Sequence, residues 1–270
     1  MDRVTCAVPL HVPRPTGPWP GVRENLATLG NALVCTTWSE WLPSVLTTRR
    51  LPQLLGADWP RYRRTPDAAV RYRFAASRLL IKNTAAAALA VPPEHLDLAY
   101  RLGGRPYLRG FDQIELSLSH TGDLIAVGLS RTGRIGVDVE PAQRPLRLDL
   151  LQRQVLTPAE ARELDLLPAG RRAARVLRLW TQKEAYSKAL GQGLRLGFKE
   201  FGFSGGRLCA PDGTPVTGGE WGFATYPVMD RYLLSVACHD AGLSTADDTS
   251  ATTMLDQGFL AAMTDTAPPD

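Results

Sequence analysis

Three short strand patterns joined by turns constrain the fold of this chain most strongly. Residues 114–119 alternate apolar and polar side chains with a period of two, as a strand with one buried face does. Residues 124–129 and 135–139 predict two further strands, and the segments between the strands contain the glycines typical of turns. Helical patterns precede and follow this block. The order of helix, strands, helices and strands indicates an α+β fold.

Two long helical patterns flank the strand block. Over residues 66–90, apolar side chains recur at helical spacing, with Thr65 as the expected N-cap and Pro92 just after the end. Residues 170–190 form the longest helical pattern, which Gly191 terminates. The other segments are shorter: residues 23–35 fit either a helix or a strand, residues 157–160 fit a capping box, and residues 198–209 and 221–238 predict strands.

The ends of the chain differ in composition from the middle. Residues 1–20 are rich in proline and predict an extended arm, whereas residues 244–270 predict an acidic, disordered tail. Residues 241–270 contain five Asp and no Lys or Arg, so the rest of the chain carries about +9, compared with +4 for the whole. Residues 49–82 alone hold nine basic residues. Such a charge favours an anionic partner, or it reflects an Arg-rich composition without functional meaning.

Composition favours a globular protein of the cytoplasm. The chain is 44% hydrophobic and 21% charged, as folded proteins are. No stretch approaches the roughly 20 apolar residues of a membrane span, and the first residues lack the pattern of a secretory signal. The four cysteines are far apart and form no C-x-x-C pair. This spacing predicts free thiols rather than a zinc site or a disulfide framework.

Two carboxylates stand two residues apart at the end of a predicted strand, in residues 136–140. Because successive strand side chains alternate between faces, Asp138 and Glu140 point the same way. Two like charges side by side repel unless a cation lies between them, and Mg²⁺ is held by few carboxylates together with water and phosphate. The alternatives are an exposed polar strand face, or a turn near Pro141 whose carboxylates bond to arginines.

A second charged group lies on the longest predicted helix. Trp180, Glu184 and Lys188 follow one another at a spacing of four, on the face that earlier turns fill with apolar residues. A carboxylate and an ammonium are costly to bury unpaired, but both are reasonable beside a metal and a phosphate. Lys183 and Lys188 are also two of only four lysines in the chain. The alternative is an ordinary surface pair between Glu184 and Lys188.

His120 follows the alternating strand, in a predicted turn over residues 120–123. A cationic histidine in a polar turn can bind phosphate, although a lone turn histidine is more often simply exposed. The sequence contains no Walker A motif, no G-x-G-x-x-G and no H-E-x-x-H. The common nucleotide-binding folds and zinc peptidases therefore have no support.

Three segments taken together resemble the Sfp-type 4′-phosphopantetheinyl transferases. The first is Gly-Arg-Pro at residues 104–106 with Leu-Ser-Leu-Ser-His-Thr-Gly at residues 116–122. The second is Gly-Val-Asp-Val-Glu at residues 136–140, and the third is Trp-Thr-Gln-Lys-Glu-Ala-Tyr-Ser-Lys at residues 180–188. The second and third segments are specific as a pair, and the resemblance spans roughly residues 50–240.

The resemblance implies a pseudo-twofold monomer of two α+β halves, residues 21–134 and 135–243, with coenzyme A in the cleft between them. It also implies an enzyme that transfers the 4′-phosphopantetheine of coenzyme A to a serine of an apo carrier protein and releases 3′,5′-ADP. The candidate carriers are acyl or peptidyl carriers of fatty-acid, polyketide or non-ribosomal peptide synthesis, and the broader signature favours secondary metabolism. Neither a membrane nor a nucleic acid is expected as a partner.

The resemblance also implies residue roles. Asp138, Glu140 and Glu184 match the acids that bind Mg²⁺, with Mn²⁺ as an alternative ion. From the residue types themselves, Glu184 would deprotonate the incoming serine, directly or through a metal-bound water, and Lys188 would add positive charge at the leaving phosphate. The residues expected to contact coenzyme A are Arg105, Ser119, His120, Lys183 and Lys188, and basic residues of 61–82 are further candidates.

Two alternatives stay open from the sequence. One is a homologue that binds coenzyme A but has lost activity, against which the intact acids and Lys188 argue. The other is a nucleic-acid-binding protein that uses the basic segment 49–82. Its binding would weaken steeply with salt, but no nucleic-acid-binding signature supports it.

Overall fold

The computed structural model describes residues 4–145, 147–216 and 220–241, and its fold is mixed α+β. This confirms the predicted fold class. The tail predicted for residues 244–270 lies outside the described residues, as do the first three residues of the N-terminal arm. The eight α-helices of the described part are α1 (Pro20–Leu29), α2 (Trp38–Thr47), α3 (Leu51–Leu55), α4 (Trp59–Arg64), α5 (Ala68–Leu89), α6 (Leu148–Val155), α7 (Pro158–Asp165) and α8 (Ala169–Leu190).

The strands form two larger sheets and two small hairpins. They are β1 (Leu10–His11), β2 (Asn31–Thr37), β3 (Leu98–Tyr100), β4 (Pro106–Leu108), β5 (Glu115–Thr121), β6 (Leu124–Ser130), β7 (Ile135–Pro141), β8 (Gly202–Ser204), β9 (Arg207–Cys209), β10 (Trp221–Val228) and β11 (Tyr232–His239). The four-stranded sheet has the order β1-β2-β6-β5, and the three-stranded sheet has the order β10-β11-β7. The first pair, β1 with β2, is parallel, and the other pairs within these two sheets are antiparallel.

The two larger sheets meet where their edge strands β5 and β7 lie side by side. Two serines of β5 bridge this junction, because the N–H of Val137 donates to Ser117 Oγ at 3.0 Å and the N–H of Val139 donates to Ser119 Oγ at 3.3 Å. These hydroxyls satisfy edge groups that would otherwise be buried without partners. The expected boundary between two halves, at residues 134 and 135, falls in the turn between β6 and β7. The pseudo-twofold relation of the halves stays a prediction.

The helices that precede β3 pack on the four-stranded sheet and form the larger hydrophobic core. Their longest member, α5, begins at Ala68, where Asp67 accepts the Val70 N–H at 2.7 Å. The expectation of Thr65 as N-cap is therefore wrong, since the Thr65 hydroxyl instead donates to the Arg61 carbonyl of the preceding helix. The helix also ends before the predicted proline, at Leu89.

The helix α8 lies against β7 and β11 and carries the third sequence segment to the junction of the sheets. Gly136 of β7 allows this close approach, since a Cβ at that position would lie 2.0 Å from the carbonyl oxygen of Ala185. The helix ends as predicted, with Gly191 in the left-handed conformation. The predicted capping box is also confirmed, because Thr157 and Glu160 bond reciprocally at the start of α7.

The basic segment 49–82 does not form one continuous charged face. Arg78 is buried and pairs with Asp58 at 3.2 Å, and the ammonium of Lys82 is buried and donates to the Leu54 carbonyl at 2.8 Å. A surface that binds nucleic acid needs such cations free for phosphates. The internal bonds therefore weaken the nucleic-acid alternative.

The four cysteines are reduced and buried, as predicted for free thiols. Within the described residues, no helix is both long enough and apolar enough to cross a membrane.

Candidate active site

Three elements bring the charged residues of the sequence motifs to one place. Asp138 and Glu140 lie on β7, Glu184 and Lys188 lie on α8, and Ser119 lies on β5. Strand alternation predicted a shared face for Asp138 and Glu140, and in agreement the negative charge of Asp138 raises the pKa of Glu140. The site therefore sits at the junction of the two sheets, under the last turns of α8.

The ammonium of Lys188 is the centre of a partly buried hydrogen-bond network. It donates to Asp138 Oδ1 at 2.6 Å and to Ser119 Oγ at 3.0 Å, and the Ser119 hydroxyl donates to the same Asp138 oxygen at 3.1 Å. Asp138 is only 6% exposed, and burial raises its pKa while Lys188 lowers it. The second oxygen, Oδ2, is buried and has no hydrogen-bond partner among the described residues.

Three carboxylates, of Asp138, Glu140 and Glu184, share the site with the cations of Lys188 and Arg144. Burial raises the pKa of Glu184, and the negative charges of Asp138 and Glu140 raise it further, against the lowering effect of Lys188. Burial also raises the pKa of Glu140, against the lowering effect of Arg144, with which Glu140 forms an ion pair. In the described part of the chain, Glu184 has no hydrogen bond or ion pair of its own.

The donor chemistry of this site fits a divalent cation. Mg²⁺ prefers carboxylate oxygens, and the unpartnered buried Oδ2 of Asp138 is an atom that a cation would satisfy. The side chains are not gathered as ligands of one ion, because no group of three His, Cys, Asp or Glu in the described residues has that arrangement. Lys188 and Arg144 instead neutralise Asp138 and Glu140.

His120 lies at the end of β5, next to Ser119, and not in the turn where it was predicted. Partial burial of its ring lowers its pKa first, and the positive charges of Arg73, Arg78 and Lys188 lower it further. An imidazole that lies near three cations, whether it is neutral or protonated, is suited to bind an anion. Among the basic residues of segment 49–82, Arg73 is the best candidate to bind such an anion together with His120. Its guanidinium donates to the Gly122 carbonyl, just after β5, at 3.5 Å.

A small cleft of about 160 Å³ opens beside Lys188. Its wall includes the glycine-rich loop before β4 and the residues that follow α8: Gly103, Gly104, Arg105, Gly191 and Gly193. Gly103 and Gly104 both have positive φ, which lets this loop turn tightly. A larger cavity of about 600 Å³ lies elsewhere, lined by Arg131, Arg134 and Trp221, and none of the predicted site residues reaches it.

Arg105 is bonded within the protein on several sides. It pairs with Glu115 at 2.6 Å and donates to the carbonyls of Ala189 at 2.7 Å and Ile135 at 3.2 Å. A cation at the last carbonyls of α8 suits the negative end of the helix. Arg105 therefore fixes the cleft loop to β7 and α8, and its contact with coenzyme A stays a prediction.

Lys183 requires a correction. Its ammonium is fully buried on the other side of α8, where it donates to Glu160 at 2.7 Å and to the carbonyls of Val155, Phe198 and Phe201 at 2.6–2.8 Å. Every donor of the ammonium is thus used inside the protein. Lys183 joins α7, α8 and the loop before β8, and it is not placed to contact a ligand in the cleft.

Sequence reasoning missed two residues of this region. Arg144, four residues after Glu140, was not singled out, although its i,i+4 spacing from an acid is a signal that could have found it. Arg73 was included only as one of several basic residues in 61–82. Nothing in the sequence distinguishes it from its neighbours, because its position beside His120 depends on how α5 packs.

Comparisons with known proteins give the site a context. Residues 134–236 match the family model of the 4′-phosphopantetheinyl transferase superfamily. The chain is 28% identical over 216 residues to a phosphopantetheinyl transferase of Thraustochytrium, covering 73% of this chain and 74% of the relative. It is 30% identical over 148 residues to the 4′-phosphopantetheinyl transferase AcpT of Salmonella typhi, covering 55% of this chain and 70% of the relative.

A third relative is the 4′-phosphopantetheinyl transferase psf-1 of Bacillus pumilus. It is 30% identical over 141 residues, which cover 50% of this chain and 59% of the relative. Across the curated relatives, the matched stretch covers 54% to 74% of the relative's own length. The matched region of the family model contains the β7 acids and all of α8.

Proposed function

The chain belongs to the 4′-phosphopantetheinyl transferase superfamily, and we propose that it transfers the 4′-phosphopantetheine group of coenzyme A to a serine of an apo carrier protein. One observation carries the proposal: Lys188 and three carboxylates meet beside the cleft at the junction of the two sheets. The reaction breaks the bond that joins the two phosphates of coenzyme A and forms a bond between the serine oxygen and phosphorus. The other product is 3′,5′-ADP.

Lys188 is the residue best placed to act on the pyrophosphate. Its ammonium has three N–H groups, of which two are used by Asp138 and Ser119. The third is available to an oxygen of the leaving phosphate, where negative charge grows during transfer. Because Lys188 also borders the cleft, a ligand there needs no rearrangement of α8 to reach it.

Glu184 is the candidate for the general base. Its carboxylate has no bonded partner in the described residues, and both burial and the neighbouring acids raise its pKa. A raised pKa makes a carboxylate a better proton acceptor for a serine hydroxyl. The proton of the carrier serine would therefore move to a Glu184 oxygen while the serine oxygen attacks.

Asp138, Glu140 and Glu184 would hold a Mg²⁺ ion, with Mn²⁺ as an alternative. Such an ion supplies positive charge that neutralises the phosphates and orients the leaving group. Holding it would require Glu140 to leave Arg144, with which it pairs in the present arrangement.

His120 and Arg73 would bind the 3′-phosphate of coenzyme A. The positive charges around the imidazole support this role, since they favour an anion and disfavour a second cation. The carrier is an acyl or peptidyl carrier protein of secondary metabolism, such as polyketide or non-ribosomal peptide synthesis. We also propose that the protein acts in the cytoplasm as a monomer.

The test is intact-mass analysis of an apo carrier protein incubated with this protein, coenzyme A and Mg²⁺. The expected result is a gain of one phosphopantetheine group on the carrier, and its loss when a chelator is added. Glu184→Gln serves as the inactive control, with Glu24→Gln, an exposed substitution on α1, as the matched active control. No gain on acyl and peptidyl carriers, with folded protein, would contradict the proposed activity.

A further inference from the structure

Two serines on the same face of β5 make equivalent contacts with β7 and different contacts with the site. Ser117 and Ser119 each accept one backbone N–H of β7, from Val137 and Val139. Both serines are buried. Only Ser119 also touches charged side chains, because it bonds to Lys188 and Asp138. The two serines thus share the role of joining β5 to β7, and only Ser119 also contacts the charged side chains of the site.

The hydroxyl of Ser119 uses its whole hydrogen-bonding capacity inside the protein. A serine hydroxyl has one donor and two acceptor positions. It donates to Asp138 Oδ1, and it accepts from the N–H of Val139 and from the ammonium of Lys188. No position is left for a ligand. The expected direct contact between the Ser119 hydroxyl and coenzyme A therefore does not fit the observed network.

We propose that Ser119 is a positioning residue, which holds the Lys188 ammonium and the Asp138 carboxylate in the geometry that phosphoryl transfer needs. This inference rests on the proposed function, because it assigns Ser119 a part in that same site. Lysine has a long, flexible side chain, and one contact with Asp138 leaves its third N–H free to rotate. The second contact, with Ser119, fixes the direction of that N–H. The strand–strand junction thereby sets the orientation of the group that meets the leaving phosphate.

The proposal differs from two simpler readings in what it predicts. If Ser119 only joins the strands, its loss should resemble the loss of Ser117. If Ser119 contacts coenzyme A directly, its loss should weaken coenzyme A binding whether or not Lys188 is present. If Ser119 acts through Lys188, its loss should lower kcat more than it weakens binding, and the effect should vanish when Lys188 is absent.

The kinetic test compares Ser119→Ala with the matched control Ser117→Ala in the full chain. We expect Ser119→Ala to lower kcat about 10- to 100-fold, since small misplacements of transition-state groups cost that much. The dissociation constant for coenzyme A, measured by calorimetry without carrier, should change less than about threefold. Ser117→Ala should lower stability as Ser119→Ala does, because each loses one acceptor of a β7 N–H, but it should keep kcat within about threefold. Ser119→Thr, which retains the hydroxyl, should recover most of the lost rate.

A double-mutant cycle and a spectroscopic readout complete the test. In the Lys188→Met background, adding Ser119→Ala should change the residual rate less than about twofold. In ¹H–¹⁵N spectra of the folded protein, the ammonium protons of Lys188 should exchange slowly with water in the native chain and in Ser117→Ala, and rapidly in Ser119→Ala. Equal kinetic losses in the two alanine variants, or an additive cycle, would overturn the positioning role. A native chain that fails to modify any carrier overturns the proposed function instead, and the ammonium exchange then still decides whether Ser119 orders Lys188.

Discussion

Lys188 and Asp138 lie 50 positions apart in the sequence, and their side chains meet at 2.6 Å between α8 and β7. The contact has an energetic reason, because Asp138 is almost fully buried and an ionised carboxylate there needs a cation. It also has a chemical consequence, since the same ammonium borders the cleft proposed for coenzyme A. One residue thus stabilises the fold and, under the proposed function, would face the reacting phosphates, which makes its replacement informative in two ways.

Lys188→Met should destabilise the protein and remove its activity. The variant leaves the Asp138 carboxylate buried beside Ser119 alone, which we expect to cost about 2 kcal/mol of unfolding free energy after allowance for the partial exposure of Lys188. Adding Asp138→Asn should restore most of that stability, because the charge is removed with its partner, but it should not restore transfer. Urea unfolding and the intact-mass assay measure the two effects. Equal stability of the single and double variants would contradict the pairing.

Glu184→Gln should raise stability at neutral pH while it removes transfer. Burial and then the charges of Asp138 and Glu140 raise the pKa of Glu184 above its ordinary value of 4.5, so the folded state holds its proton to higher pH than the unfolded chain does. Stability from this group is therefore lost as pH rises from 4.5 through the raised value. The melting temperature of Glu184→Gln should exceed that of the native chain at pH 7 and match it near pH 4. Transfer should fall at least about 100-fold.

The exposed substitution Glu24→Gln is the control for this comparison. It removes the same carboxylate chemistry from a helix surface, so its melting temperature should follow the native curve at both pH values. A Glu184→Gln protein less stable than the native chain at pH 7 would show that the attraction of Lys188 outweighs burial and the neighbouring acids, against the present interpretation.

Much of this site follows from the sequence, and the reasons differ from residue to residue. Strand alternation places Asp138 and Glu140 on one face, and helical spacing places Glu184 and Lys188 on another, so local periodicity is enough to group each pair. Lys183 shows the limit of this reasoning. It lies in the same motif, one residue before Glu184, but a helix turns about 100° per residue. The Lys183 side chain is therefore directed away from the site and is buried beside Glu160, on the other side of α8.

The fold shows the same division between local and tertiary information. Residues 23–35 fitted both a helix and a strand because they contain the end of one and the start of the other, separated by Gly30 in the left-handed conformation. The meeting of β5 with β7 could not be predicted, because hydroxyls of side chains, and not a backbone ladder, join these strands. The bond between Ser119 and Lys188 depends on that meeting, so it was beyond sequence patterns as well.

Lys183→Met should strongly destabilise the fold. The substitution leaves the Glu160 carboxylate and three carbonyl oxygens without their buried donor, and breaking such a pair costs about 3–5 kcal/mol. The matched control is Lys199→Met, because Lys199 is exposed on the loop before β8 and should change stability by no more than about 0.5 kcal/mol. Urea unfolding of both variants measures the difference. Similar unfolding free energies of the two variants would show that Lys183 does not hold α7 against α8.

Arg144→Gln should increase the affinity of the site for divalent cations. Arg144 pairs with Glu140, so it competes with any ion that the three carboxylates would hold. Removing it should lower the Mg²⁺ concentration for half-maximal binding about two- to fivefold, since an exposed ion pair contributes at most about 1 kcal/mol. Calorimetric titration with Mg²⁺ in the presence of coenzyme A tests this. Arg153→Gln, an exposed change on α6, is the control, and a weaker affinity in Arg144→Gln would contradict the competition.

His120→Ala and Arg73→Ala should weaken coenzyme A binding through the 3′-phosphate alone. The positive charge of Arg73 acts on the His120 imidazole, and the Arg73 guanidinium donates to the Gly122 carbonyl at 3.5 Å. Each variant should raise the dissociation constant of coenzyme A about tenfold, because a hydrogen bond to a charged phosphate is lost. The affinity for 3′-dephospho-coenzyme A should change less than about twofold, since that ligand lacks the phosphate. Calorimetry with both ligands gives the ratio. An equal loss for the two ligands would place His120 and Arg73 against another part of the coenzyme, and the phosphate assignment would fall.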